Sequence, residues 1–259
     1  MKFKKILSWS VPMSVAIMSS LSAISCEKPE EFNPKVVLDK NHVLVQKNVS
    51  KFKVVGGADG DTVYLEALED NNERGIRTGD KNKIRLSGID TPEKYVGLTR
   101  ASDKEYKYAL MSSEFASKTL KNNKIVYAYI TEKDSFGRWV GDVFYSETND
   151  KPEKIEDVDR SYSVQITRAG LTLPYDINPI PNMDLQKIEG TLQWYVWRLL
   201  GVALLNANYY NDGFFAEYST PYDVSKNVYE IKKFGTAFES FTKKVDINVF
   251  NNPNVYKAK

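Results

Sequence analysis

The stretch from Lys51 to Leu68, KFKVVGGADGDTVYLEAL, alternates apolar and polar residues on either side of a glycine-rich turn. Both arms carry β-branched and aromatic residues, so the pattern predicts two strands. EDNNERGIRTGDKN is a loop by composition, and KIRLSGI is a further strand. In SDKEYKYALMSSEFASKTLKNN, Tyr106, Ala109, Leu110, Phe115 and Leu120 recur at roughly helical spacing, and Asn122-Asn123 stops the helix. KIVYAYIT and RWVGDVFYS are strands joined by the turn EKDSFG. TNDKPEKIEDVDR is a charged loop, and SYSVQITRAG is a short helix ended by Gly170. LQKIEGTLQWYVWRLLGVALLNANYY is long and apolar, but its uncharged part is too short to span a bilayer and Arg198 lies inside it. It reads as a helix packed on a core. Runs of antiparallel strands with a few helices predict an α+β fold built on a small closed barrel.

The N-terminus has a different character. Lys2, Lys4 and Lys5 precede ILSWSVPMSVAIMSSLSAIS, which carries no charge, and Cys26 follows at once. Residues 1–25 therefore read as a signal peptide. Small residues ahead of a single cysteine resemble a bacterial lipoprotein signal, with Cys26 as the lipidated residue, although Ala23 replaces the usual leucine. Plain secretion and an uncleaved membrane anchor are the alternatives, and Pro12 with the many serines argues against the anchor. Cleavage would remove three lysines and take the formal charge from +2 to −1. No global basic field then attracts a polyanion, so any such affinity must be local. Residues 26–50 are polar, with Pro29 and Pro34, and read as a tether with a short strand at HVLVQ.

The single cysteine excludes an internal disulfide. The single histidine, His42, falls in the expected tether, which excludes a Ser-His-Asp triad and histidine-ligated zinc. No phosphate-binding loop or dinucleotide fingerprint occurs. What remains is carboxylates, arginines and tyrosines, a set suited to a hard cation and a phosphate substrate. Three clusters hold it: DGDT (Asp59, Gly60, Asp61, Thr62), RLSGIDTPE (Arg85, Asp90, Thr91, Glu93) and DSFGR (Asp134, Gly137, Arg138). Each alone is also an ordinary turn or strand end.

Taken together, these clusters resemble the thermonuclease, or staphylococcal-nuclease-like, family. Asp-Gly-Asp-Thr is followed by an arginine, an aspartate five residues on and a glutamate three further, as in the family's first motif. DSFGR matches the second motif in three of five places, and VQITRAGL echoes a third segment. The resemblance covers roughly 51–215. It implies an OB-like five-stranded antiparallel β-barrel with about three helices, here with a C-terminal extension. It implies Ca2+ held by Asp61, Asp90 and the Thr91 carbonyl, with Glu93 as general base and Arg85 and Arg138 clamping the phosphate. Tyr175 lies near the place of a substrate-stacking tyrosine. The expected domains are 51–217 for the nuclease-like unit and 218–259 for an extension without assigned role. The expected protein is a monomeric nuclease acting on DNA and RNA, anchored at the outer face of the cell membrane through Cys26 or else secreted. The other class is a catalytically inactive nucleic-acid-binding or surface-interaction module on the same fold. Two departures bear on this. Ser135-Phe136 replaces the family's Lys-Tyr, and the segment from Glu66 to Ile84 is long. Its excess is expected to extend a hairpin tip and leave the site in place.

Overall fold

The computed structural model describes residues 32–176 and 179–230. The signal peptide, Cys26 and residues 231–259 lie outside the described residues. In chain order the elements are α1 (Val43–Asn48), β1 (Val49–Asp59), β2 (Thr62–Ala67), β3 (Lys81–Leu86), β4 (Ile89–Asp90), β5 (Tyr95–Val96), β6 (Thr99–Arg100), α2 (Asp103–Thr119), β7 (Ile125–Lys133) and β8 (Trp139–Tyr145). They continue with β9 (Arg160–Ser161), α3 (Tyr162–Arg168), β10 (Leu173–Pro174), α4 (Pro179–Leu185), α5 (Leu192–Tyr210) and α6 (Pro221–Asn227).

The main sheet runs β3-β2-β1-β7-β8-β9, and β3 also pairs with β8. That last pairing is parallel, whereas the others are antiparallel. It closes five strands into a ring, the OB-like barrel the motifs imply. β1 makes the closure possible. Two irregularities, between Val54 and Gly56 and between Gly57 and Asp59, bend it while it pairs with β2 on one edge and β7 on the other. Gly141 is needed where β8 crosses β7, because a Cβ there would lie 1.8 Å from the Tyr129 carbonyl oxygen. Phe52, Val54, Leu65, Ile84, Phe144 and Trp139 fill the barrel, with the Phe52 and Trp139 rings 5.3 Å apart. A second layer of packing joins α3 and α5 to the barrel through Val164, Ile166, Leu200 and Leu204.

Helices α2, α3 and α5 stand where the sequence predicts them, and three short helices accompany them. Among the described residues no helix is long and apolar enough to cross a membrane, α5 included. The α2 face that packs inward is Glu105, Tyr108, Ala109, Ser112 and Ala116, while Leu110, expected on it, is 47% exposed. At Ser112 the strip stays small because the turn at Gly60 presses on it: a Cβ at Gly60 would lie 2.7 Å from Ser112 Cβ.

Two expectations need correction. The strand expected at HVLVQ is helix α1. His42 caps it, Nδ1 accepting from Leu44 N at 3.2 Å, and the buried positions Val45 and Asn48 stand three apart, as one helix face requires. The stretch read as a tether is also part of the domain from residue 32 onward. Val36 and Leu38 are buried in the core, and Val36 N bonds the Asp159 carbonyl. Prolines and charges masked these few apolar anchors.

Candidate active site

The turn between β1 and β2 carries Asp59, Gly60 and Asp61. Gly60 has no room for a side chain, since its Cβ would meet both Ser112 and Thr91 Cγ2 at 2.7 Å. The Tyr162 hydroxyl, fully buried, donates to the Gly60 carbonyl at 3.0 Å. This anchors the turn from below and leaves Asp61 pointing at the end of β3 and β4. Asp61 is 2% exposed; its Oδ2 accepts from Thr91 N at 2.9 Å and its Oδ1 from the Thr62 hydroxyl at 3.2 Å.

Arg85 stands across from this turn, its residue paired with Thr62 on β2. Its guanidinium bridges two carboxylates, with Nη1 on Asp61 Oδ1 and Nη2 on Asp90 Oδ1. Burial works against the charge, but the two carboxylates outweigh it and hold the Arg85 pKa above its ordinary value. Asp90 ends the short strand β4, which pairs with β10 through Leu173. The Asp90 carbonyl accepts from the Thr172 hydroxyl at 2.8 Å and the Tyr229 hydroxyl at 2.7 Å. Pro92 follows Thr91, and Glu93 N then donates to Oε1 of the buried Glu105 at 3.2 Å.

Asp59 completes the group. Its Oδ1 is buried with no hydrogen-bond partner. Burial, then the charges of Asp61 and Glu93, push its pKa up to about 6, against a smaller pull from Thr62 and Arg85. Asp61 and Asp90 thus share one guanidinium, and Asp59 and Glu93 add negative charge beside them. Among the described residues no three acidic, histidine or cysteine side chains are already drawn together as a metal cage. The donors do fit a hard cation: they are all oxygens, and the buried Asp59 Oδ1 has no hydrogen-bond partner of its own.

Arg138 reaches the same region through sheet closure. Arg85 is paired with Val140 across β3 and β8. Arg138 lies just ahead of β8, two residues before Val140, so closure of the sheet brings it to the Arg85 end of β3. Asp134 fixes the preceding turn, its Oδ1 accepting from Phe136 N and Arg138 N at 2.9 Å each, while Gly137 takes the left-handed conformation at φ 76°. Asp134 Oδ2 also takes the Arg138 Nε at 2.7 Å. Arg85 and Arg138 line one cleft of about 840 Å³, with Tyr175 and Trp197 among its walls.

The structure brings Asp61, Arg85, Asp90 and Thr91 into one hydrogen-bonded group, with Glu93 within electrostatic reach of Asp59. Arg138 and Tyr175 share the cleft with Arg85. Two further participants had no sequence signal. Tyr162 and Tyr229 act through backbone carbonyls, and any buried tyrosine would look the same in a sequence. Asp59 did have a signal, the doubled aspartate of the turn.

The strands closed into a ring, with Asp61 and Asp90 on Arg85 beside a cleft that Arg138 also lines, form an OB-like barrel with a compact charged group at one end. The family model described as staphylococcal nuclease homologue matches residues 83–183, which supports a thermonuclease-like domain here. That match runs from β3 to α4 and includes Arg85, Asp90, Glu93 and Arg138, while Asp59 and Asp61 lie ahead of it. No individually curated protein matches the chain. Nucleases of this family hydrolyse phosphodiester bonds of nucleic acids and are generally Ca2+-dependent.

Proposed function

We propose that this chain is a Ca2+-dependent nuclease that hydrolyses DNA and RNA with low sequence preference, held at the outer face of the cell membrane by a lipid on Cys26. The observation that carries the reading is the carboxylate surplus around Arg85, with one buried oxygen unpartnered, at the edge of a cleft that also holds Arg138. Asp61, Asp90 and the Thr91 carbonyl would hold the ion, with Asp59 beside them. When bound, the ion supplies Lewis-acid polarisation of the phosphate.

The protein's own groups do the rest. Glu93 takes the proton from the attacking water, and Glu105 holds the Glu93 backbone in position. Arg85 and Arg138 offer planar, permanently charged heads to the phosphoryl oxygens, where charge grows in the transition state. Tyr175 gives a base a flat face to stack on. A monomer suffices, since one chain contains every group the reaction needs. Outside the cell, such an enzyme would convert nucleic acid into nucleotides for uptake.

The test is turnover by Glu93→Ser and Arg138→Gly variants. Each should lose about 100-fold or more in kcat while its unfolding transition is unchanged. Full activity in either variant would overturn the mechanism, and strand binding without cleavage by the parent chain would replace it with a binding module.

A further inference from the structure

The long segment between β2 and β3 does more than lengthen a hairpin tip. It folds back through a 3-10 turn, Asn72–Arg74, and delivers Arg74 to the cleft that holds Arg85 and Arg138. The turn is anchored on both sides. Ile76 is fully buried, and Asn71, 7% exposed, donates from Nδ2 to the Lys47 carbonyl at 3.2 Å and the Ser50 hydroxyl at 3.0 Å. Asn71 Oδ1 also accepts from Arg74 N at 3.1 Å.

The Arg74 guanidinium is aimed by a neutral relay. Nε donates to Asn48 Oδ1 at 2.7 Å, and Nη2 donates to the same oxygen. Asn48 Nδ2 donates to the Tyr129 hydroxyl at 2.9 Å, which donates to the Gly190 carbonyl at 3.0 Å. The amide is thereby locked with its oxygen toward the arginine. Arg85 and Arg138 are each balanced by aspartate. Among the described residues no ion pair joins Arg74 to a carboxylate, so its charge, held on a neutral amide, is not offset.

We propose that Arg74 binds a second phosphate of the substrate strand, away from the scissile bond, and that this makes an oligonucleotide chain the preferred substrate over a dinucleotide. The inference rests on the nuclease reading above. An oriented, charge-unbalanced guanidinium in a phosphate-directed cleft has the geometry for a charge-assisted phosphate contact. Arg85 and Arg138 serve the reacting phosphate, and a substrate with one phosphate has nothing for Arg74 to hold. Spreading phosphate contacts along a strand is how sequence-indifferent binding is built.

The experiment compares the full chain with Arg74→Gln and Arg74→Lys. The substrates are a dinucleotide with a single phosphodiester and a single-stranded 12-mer, both in Ca2+. Arg74→Gln should raise KM for the 12-mer about tenfold, leave its kcat within about twofold, and leave dinucleotide cleavage unchanged. The slope of log affinity for the 12-mer against log salt should fall by about 0.7 to 1, with Arg74→Lys restoring most of it. If Arg74 only ties the loop to α1, Arg74→Gln will impair both substrates equally with an unchanged salt slope, and the inference fails. If the parent chain cleaves neither substrate, the nuclease reading fails instead. The salt slope of 12-mer binding, read by fluorescence anisotropy, then still decides whether Arg74 holds a phosphate.

Discussion

Replacing Asp59 by asparagine should stabilise the ion-free protein and weaken its response to calcium. The buried Asp59 carboxylate ionises in the folded protein at about 6, against 3.8 for the ordinary side chain. At 1.36 kcal/mol per pKa unit, the folded state above pH 6 carries about 3 kcal/mol that a neutral group would not. The direction follows from proton counting. Between about pH 4 and 6 the folded state binds more protons at this site than the unfolded state. The contribution of this site to wild-type stability therefore falls through that window as pH rises, and then levels off. An asparagine side chain fits the same volume and does not titrate. In urea unfolding with a chelator present, the Asp59→Asn variant should match the wild type near pH 3.5 and exceed it by up to about 3 kcal/mol at pH 8. Millimolar Ca2+ should raise the wild-type midpoint at pH 8 more than the variant's, because the ion supplies the charge that the carboxylates lack. Equal stability of the two chains at pH 8, or a gap that does not vary with pH, would refute the reasoning.

Other perturbations probe the supports of the site. Gly60→Ala forces a Cβ to within 2.7 Å of Ser112 and Thr91, so we expect a loss of about 1–3 kcal/mol in unfolding experiments and a marked fall in turnover as Thr91 shifts. Tyr229→Phe removes one donor from the Asp90 carbonyl and the acceptor of Leu173 N, which should cost about 1–3 kcal/mol and raise the calcium concentration needed for half-maximal stabilisation. Asp142 is fully buried, and burial pushes its pKa up to about 6, despite bonds from Ser161 and Ser163. Asp142→Asn should therefore gain thermal midpoint relative to the wild type as pH rises from about 4 to 6.

The site was legible because its chemistry is compressed into short runs. Arg85, Asp90, Thr91 and Glu93 fall within nine residues, since one strand end presents them all, and spacing along the chain becomes spacing in space. The parts that escaped reading act across long separations. Tyr229 reaches the Asp90 carbonyl from 139 residues away, in the stretch expected to be an extension without role. Val224, Val228 and Tyr229 are buried, so the domain continues past residue 217, yet weak periodicity there gave no hint of it. Arg74 looked like one charge among many in a polar loop, and only the fold-back fixed by Asn71 and Ile76 makes it part of the cleft. The strand expected at HVLVQ failed for a local reason. Alternation over five residues cannot separate a strand from one helical turn, and the His42 cap decided the matter.

The central claim is that the oxygen cluster around Arg85 is a calcium site serving phosphodiester hydrolysis. The most direct measurement is cleavage of single-stranded DNA and RNA by the pure full chain, titrated with Ca2+ and then with chelator. The account predicts cleavage of both polymers that rises with Ca2+, stops with chelator and is lost in Glu93→Ser. Cleavage that persists in chelator, or none at any calcium concentration from a folded chain that still binds the strands, would contradict it.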